Sequence, residues 1–241
     1  MIRLSKNTDF IDLLKTLLKN NKILSISGPS GSGKTTLAQY IIGEYLSREE
    51  NLESSCLWIQ ASEQFSKKRI EKIYAPHQSK NTHILSNVFV LPGKNPCKNL
   101  IEQQQILNKI VNPRTLLPPD LKYIVIDNIS HHLRYEISKT NDVAVIMKMM
   151  NQFFEMHLLP LIMYSQREGI VIVFLHEITY VPTLNQEKPF FYKLYDRIDC
   201  IHIQLMNSIG KNKFMFIQSD RTIPKSKFSY TLCDSGFQFA S

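Results

Sequence analysis

A chain that runs from a short apolar stretch straight into Gly28-Pro29-Ser30-Gly31-Ser32-Gly33-Lys34-Thr35-Thr36, and then into an amphipathic run, has few folds open to it. The stretch matches G-x-x-x-x-G-K-[ST] between a strand pattern and a helix pattern, the context in which that motif holds phosphate. Its glycines let the backbone curl and approach closely. Lys34 is placed to reach the β- and γ-phosphates and Thr35 to ligate Mg²⁺. The N-terminus of the following helix adds partial positive charge. Residues 28 to 36 are therefore expected to bind ATP. The alternative, a Gly/Ser turn without a ligand, does not account for the flanking strand and helix.

Fold size follows from length. At 241 residues, 43% of them hydrophobic, one substantial core is affordable, and a single domain over residues 1 to 241 is expected. The net charge of +8 fits a polyanionic partner or ordinary solubility charge, and composition leaves both open. Cys56, Cys97, Cys200 and Cys233 are far apart, match no metal spacing and read as buried, reduced thiols. No apolar run approaches the roughly 18 to 20 residues of a membrane span, and no secretory leader pattern opens the chain.

Taken in order, residues 8 to 18 have helical spacing, and Lys22 to Ser27 make the first strand. Thr35 to Ser47 continue as a helix. Cys56 to Ile59 and Asn87 to Leu91 read as further strands, separated by a basic helix that opens at Ser66. A helix over 99 to 111 precedes Pro113, Pro118 and Pro119. The run Tyr123 to Asp127 is continuously apolar and ends in one carboxylate, as a central parallel strand of a P-loop NTPase does. Asp127 is expected to orient Mg²⁺ through a bound water.

Asp142 to Arg167 reads as a Met-rich helical stretch interrupted at Pro160, and Ile170 to Leu175 as another buried strand, closing with His176 and Glu177. Residues 178 to 197 show no clear period. There Lys188, Lys193 and Arg197 interleave with Phe190, Phe191, Tyr192 and Tyr195, a mixture suited to single-stranded DNA or to a lid packed on its own core. Three or four short strands end the chain in a β-meander. His131 and His132 are adjacent, lack a third ligand and read as loop or interface residues rather than a metal site.

The order of these elements resembles the RecA-type ATPase core: an α/β fold with a mostly parallel central sheet flanked by helices and a C-terminal antiparallel meander. Residues 56 to 70 (CLWIQASEQFSKKRI) and 123 to 136 (YIVIDNISHHLRYE) are similar to the corresponding segments of eukaryotic recombinase paralogues, and the resemblance covers roughly residues 5 to 237. It implies an ATP- and Mg²⁺-binding accessory subunit of homologous recombination and double-strand break repair. Such a subunit works in the nucleus beside another RecA-type paralogue or the strand-exchange recombinase, with single-stranded DNA as a ligand.

Two departures bear on catalysis. Ser62 occupies the place of the family's water-activating Glu, with Glu63 beside it, and His176-Glu177 replaces its Asn-Gln pair. Glu63 and Glu177 are the catalytic candidates, with at most weak DNA-dependent ATPase activity expected. Read this way, the chain starts at the ATPase core without the family's small helical N-terminal domain, and filament self-assembly by that route is not expected. A small-molecule or nucleoside kinase is the competing reading, although the Arg-rich lid of that class is not seen.

Overall fold

In the computed structural model, which describes residues 7–190, 192–195, 198–207, 213–219 and 226–239, the apolar runs become neighbouring strands. β1 spans Ile23–Ser27, β2 Ser55–Gln60, β3 Val88–Leu91, β4 Leu121–Asp127 and β5 Val171–His176. β6 (Ile178–Val181) and β7 (Gln186–Pro189) form a separate hairpin. β8 (Ile201–Met206), β9 (Lys213–Gln218), β10 (Ser226–Cys233) and β11 (Gly236–Phe239) complete the large sheet.

Among the described residues that sheet has the order β11-β10-β9-β8-β1-β5-β4-β2-β3. It is parallel from β8 across to β3 and antiparallel from β8 out to β11. The α/β core with a terminal antiparallel meander is thus as the sequence reading has it. One detail differs: β8 is the parallel neighbour of β1, with Leu24 opposite Ile201, so the final run begins inside the parallel sheet.

Helices cover both faces. α1 (Asn7–Asn20), α2 (Lys34–Leu46), α3 (Lys67–Ile73) and α4 (Gln78–Ser86) pack Phe10, Leu37, Ile70 and Ile84 into one core with Leu24, Trp58, Val125 and Val173. α5 (Leu100–Val111), α6 (His131–Ile137), α7 (Val143–Phe153) and α8 (Leu159–Glu168) pack Leu107, Leu133, Phe153 and Leu161 against Leu57, Ile124 and Ile172 on the other. Successive strand residues feed opposite cores, so a central strand buried on both faces must be apolar throughout.

Local chemistry fixes the ends of these helices. Asn99 accepts the Glu102 N–H at 2.9 Å while Glu102 accepts the Lys98 N–H at 2.7 Å, which starts α5. Asp142 caps α7 through the N–H groups of Ala144 and Val145. The Met-rich stretch is continuous helix, with a π-helical segment at Phe154–Leu158 ahead of Pro160, which sits in the first turn of α8 where its missing N–H costs little. Met149 and Met150 lean on the second core, whereas Met147, Met156 and Met163 are exposed.

Three expectations need correction. Residues 178 to 197 hold the β6–β7 hairpin and a short helix, α9 (Tyr192–Tyr195), within what reads as structureless sequence. His131 and His132 begin α6 rather than a loop. Three of the cysteines are buried, but Cys233 is exposed because the tip of the last hairpin carries it outward.

Candidate functional site

The phosphate loop leaves β1 at its C-terminal end and enters α2. Gly33 is the N-cap of α2 in the left-handed region, at φ 99, and no side chain caps the helix or adds an acid to its first turn. The leading N–H groups of α2 are thus left for an external acceptor, in a field that favours an anion. A side chain at Gly33 would be strained there and would meet Leu232 at 2.8 Å. Gly28 is as tightly placed: a Cβ would fall 2.7 Å from Ser32 Oγ and 2.9 Å from the Leu205 carbonyl oxygen. At the apex, Gly31 (φ 70) has open space where a Cβ would stand.

Lys34 Nζ donates to the carbonyls of Gly28 (2.9 Å) and Pro29 (3.0 Å). Burial lowers its pKa, while Asp127, Glu177 and Glu63 act to raise it. Ser32 is fully buried, and its Oγ meets no partner within hydrogen-bonding distance. The orphaned Ser32 hydroxyl and the N–H that Lys34 has left after bonding two backbone carbonyls stand beside a helix start that itself wants an acceptor. A phosphate chain fits them.

Asp127 ends β4 beside the loop and accepts a 3.0 Å hydrogen bond from Thr35 Oγ1. Burial pushes its carboxyl up to about 7, raised further by Glu63 and opposed by the Thr35 hydroxyl, Lys34 and Arg69. A buried carboxylate that resists ionisation becomes favourable once a cation arrives, and the Thr35–Asp127 pair would hold Mg²⁺ in that role. The residues of the motif therefore fit a nucleotide with its metal.

The two candidate catalytic carboxylates lie differently. Glu63 is exposed, in the turn after β2, close enough to act on the charges of both Lys34 and Asp127. Glu177 follows β5, where its Oε2 accepts from Arg134 at 2.8 Å and its Oε1 from Asn128 at 2.9 Å, with His131 Nδ1 3.7 Å away. Arg134 also lies over the Phe190 ring, and Phe190 N–H donates to the Glu177 carbonyl at 3.1 Å. Glu177 is thus bound into a network that joins β4, α6 and the 178–190 hairpin.

His132 is buried with Nε2 2.7 Å from the Ala61 carbonyl, and His131 is half-exposed. Among the described residues no His/Cys/Asp/Glu group is spaced to hold a metal by itself. His176 is fully buried; burial, with His202 and Lys34 nearby, pushes its imidazole down to about 3, so it stays neutral at physiological pH. Of the candidate DNA contacts, Lys188 lies on β7 and Lys193 is exposed on α9, while Arg197 falls outside the described residues.

A second set of contacts has no local sequence signal. The Tyr230 hydroxyl, on β10, donates to the Ser32 carbonyl at 2.9 Å, and Lys213 Nζ, on β9, donates to the Gly31 carbonyl at 2.8 Å. With Leu232 and Phe237 against Gly33, the meander braces the outer side of the phosphate loop. These residues are some 180 to 200 positions from the loop, so only the folded sheet brings them there.

A phosphate loop between β1 and α2, its lysine and threonine beside a buried Asp at the end of a central strand, and helices on both sheet faces together define a P-loop NTPase core. Within that class, the family model described as NB-ARC domain matches residues 7–115, the stretch from α1 just past α5. The match covers the phosphate loop but ends before Asp127, Glu177 and the meander. No curated protein matches the chain.

Proposed function

We propose that the chain is an ATP-binding accessory subunit in which Mg²⁺-nucleotide acts mainly as an assembly ligand and is turned over slowly. The observation that carries this reading is the state of the carboxylates: Glu177 is committed to Arg134 and Asn128, and Glu63, although near Lys34 and Asp127, is exposed and held in position by no hydrogen bond or ion pair among the described residues. Water activation needs a base that is both free and positioned. A ligand that stabilises only the state that binds it can still govern docking without rapid hydrolysis.

The proposed setting is homologous recombination in the nucleus, where the subunit helps the strand-exchange recombinase assemble or persist on single-stranded DNA, beside it or another RecA-type paralogue. Support for that setting is the sequence resemblance at 56–70 and 123–136, together with the meander that continues the parallel sheet. A second reading has an observation of its own. The NB-ARC match over residues 7–115 favours a nucleotide-governed switch outside recombination.

Purification of the tagged protein from its own cells, with mass spectrometry of what stays bound at moderate salt with and without ATP, tests the two. An ATP-dependent RecA-type partner is the expected result. An ATP-dependent partner of another kind overturns the recombination setting and favours the switch. Recovery of the protein alone, with phosphate transfer to a nucleoside, overturns the assembly role in favour of a kinase.

A further inference from the structure

At the end of the sheet opposite the phosphate loop, where the central strands begin, a cleft of about 500 Å³ opens between α1, the C-terminal end of α2 and the starts of β1, β4 and β5. Lys22, which precedes β1, lines it, whereas the phosphate loop follows β1. Five residues of strand separate the two, roughly 17 Å. Cations converge on the cleft from four stretches of chain: Lys15 and Lys19 on α1, Lys22, Arg48 after α2, and Lys122 on β4.

The carboxylates nearby do not answer this charge. Asp120 holds Lys122 at 2.8 Å, but among the described residues no carboxylate lies within ion-pair distance of Lys19, Lys22 or Arg48, although Asp12 and Glu50 also line the cleft. The C-terminal ends of α1 and α2 account for part of the excess, since each carries about half a negative charge. Arg48 spends its Nε on the Glu44 carbonyl in that way, at 3.1 Å. Lys15 and Lys19, one helical turn apart, repel each other.

One wall is aromatic. Tyr45 packs edge-on against Tyr123, with ring centroids 4.6 Å apart, and Leu18 and Val171 add apolar lining. Charge on one side and an apolar, aromatic surface on the other are the two halves of a site for a phosphorylated organic molecule. The volume suits a small ligand, since pockets of about 300 to 1,000 Å³ enclose one.

We infer that this cleft binds a small molecule carrying two or more phosphate groups, with the phosphates across Lys19, Lys22 and Arg48 and the organic body against Tyr45. The site is separate from the phosphate loop and independent of the proposed function. Inorganic tripolyphosphate is the probe, titrated calorimetrically into full-length protein carrying Lys34→Ala so that the phosphate loop contributes little.

Saturable one-to-one binding is expected, weakened about tenfold or more by adding Lys19→Glu with Lys22→Glu, and left unchanged by adding Lys109→Glu with Lys148→Glu as a charge-matched control. Circular dichroism of each variant checks that the fold is kept. Absence of binding, or equal loss in both pairs, overturns the inference. A short oligothymidylate that binds through Lys19 and Lys22 and is not displaced by tripolyphosphate also overturns it, in favour of a nucleic-acid strand.

Discussion

Asp127 shows how one side chain can favour different states of the protein at different pH. Its carboxyl is held near 7 by burial, against an ordinary value of 3.8, so between those limits the folded, metal-free protein binds a proton that the unfolded chain has released. Stability from this group is therefore fully present below about pH 4 and is lost as pH rises through 7. Asp127→Asn should remove that slope. In metal-free buffer the mutant gains stability relative to wild type as pH rises from 4 to 7, by on the order of a few kcal/mol. Urea midpoints at several pH values check it, and parallel curves for the two proteins would refute it. With Mg²⁺ and ATP present the order reverses, because the carboxylate then gains a partner that Asn cannot replace. His176 acts in the opposite sense: its depressed pKa makes the fold lose stability as pH falls from 6.5 toward 3, which is why the comparison is with the Asn variant and not with pH alone.

At the scale of elements, what was legible in the sequence was whatever is buried on both sides. β1, β2, β4 and β5 are runs of apolar residues bounded by turns, and each begins and ends within a residue or two of its expected limits. The motif residues and Asp127 come together because β1 and β4 run parallel on either side of β5, so their C-terminal ends open on the same end of the sheet. α4 leaves almost no apolar period in the sequence because only Ile84 of its nine residues is buried. The β6–β7 hairpin is illegible for a similar reason: Gln186-Glu187-Lys188 is polar and the pair stands outside the main sheet. β8 alternates in the same way whether its neighbour is parallel or antiparallel, so pattern alone does not reveal its pairing with β1. The brace on the phosphate loop was illegible for want of any local signal, and it makes a test of its own. Tyr230→Phe should lose the bond to the Ser32 carbonyl, cost about 1 kcal/mol and weaken nucleotide binding several-fold while the ring stays packed. Thermal melts with and without ATP separate the two effects. A fall in stability with undiminished nucleotide affinity would make the bond purely structural.

For the molecule as a whole, the question is whether the meander and the phosphate loop form one cooperative unit. Phe237 stacks on Tyr230 at 4.6 Å and lies beside Gly33, so it belongs both to the first core and to the loop's outer wall. Leu107, fully buried on α5, belongs to the core on the opposite face of the sheet. Truncating either to Ala removes a large buried side chain and should cost roughly 2 to 5 kcal/mol. If nucleotide affinity depended only on global stability, the two variants would bind ATP equally well at a temperature where both are folded. The brace predicts otherwise: Phe237→Ala weakens ATP binding by about tenfold, through a loop no longer held in its binding geometry, while Leu107→Ala binds as wild type. Titration of ATP·Mg²⁺ into both, well below their melting temperatures, decides the matter. Equal affinities would mean that the phosphate loop keeps its shape without the meander, and that any partner acting through the meander has no route to the nucleotide by this contact. A difference confined to Phe237→Ala would make β10 and β11 the element that couples nucleotide occupancy to that end of the sheet.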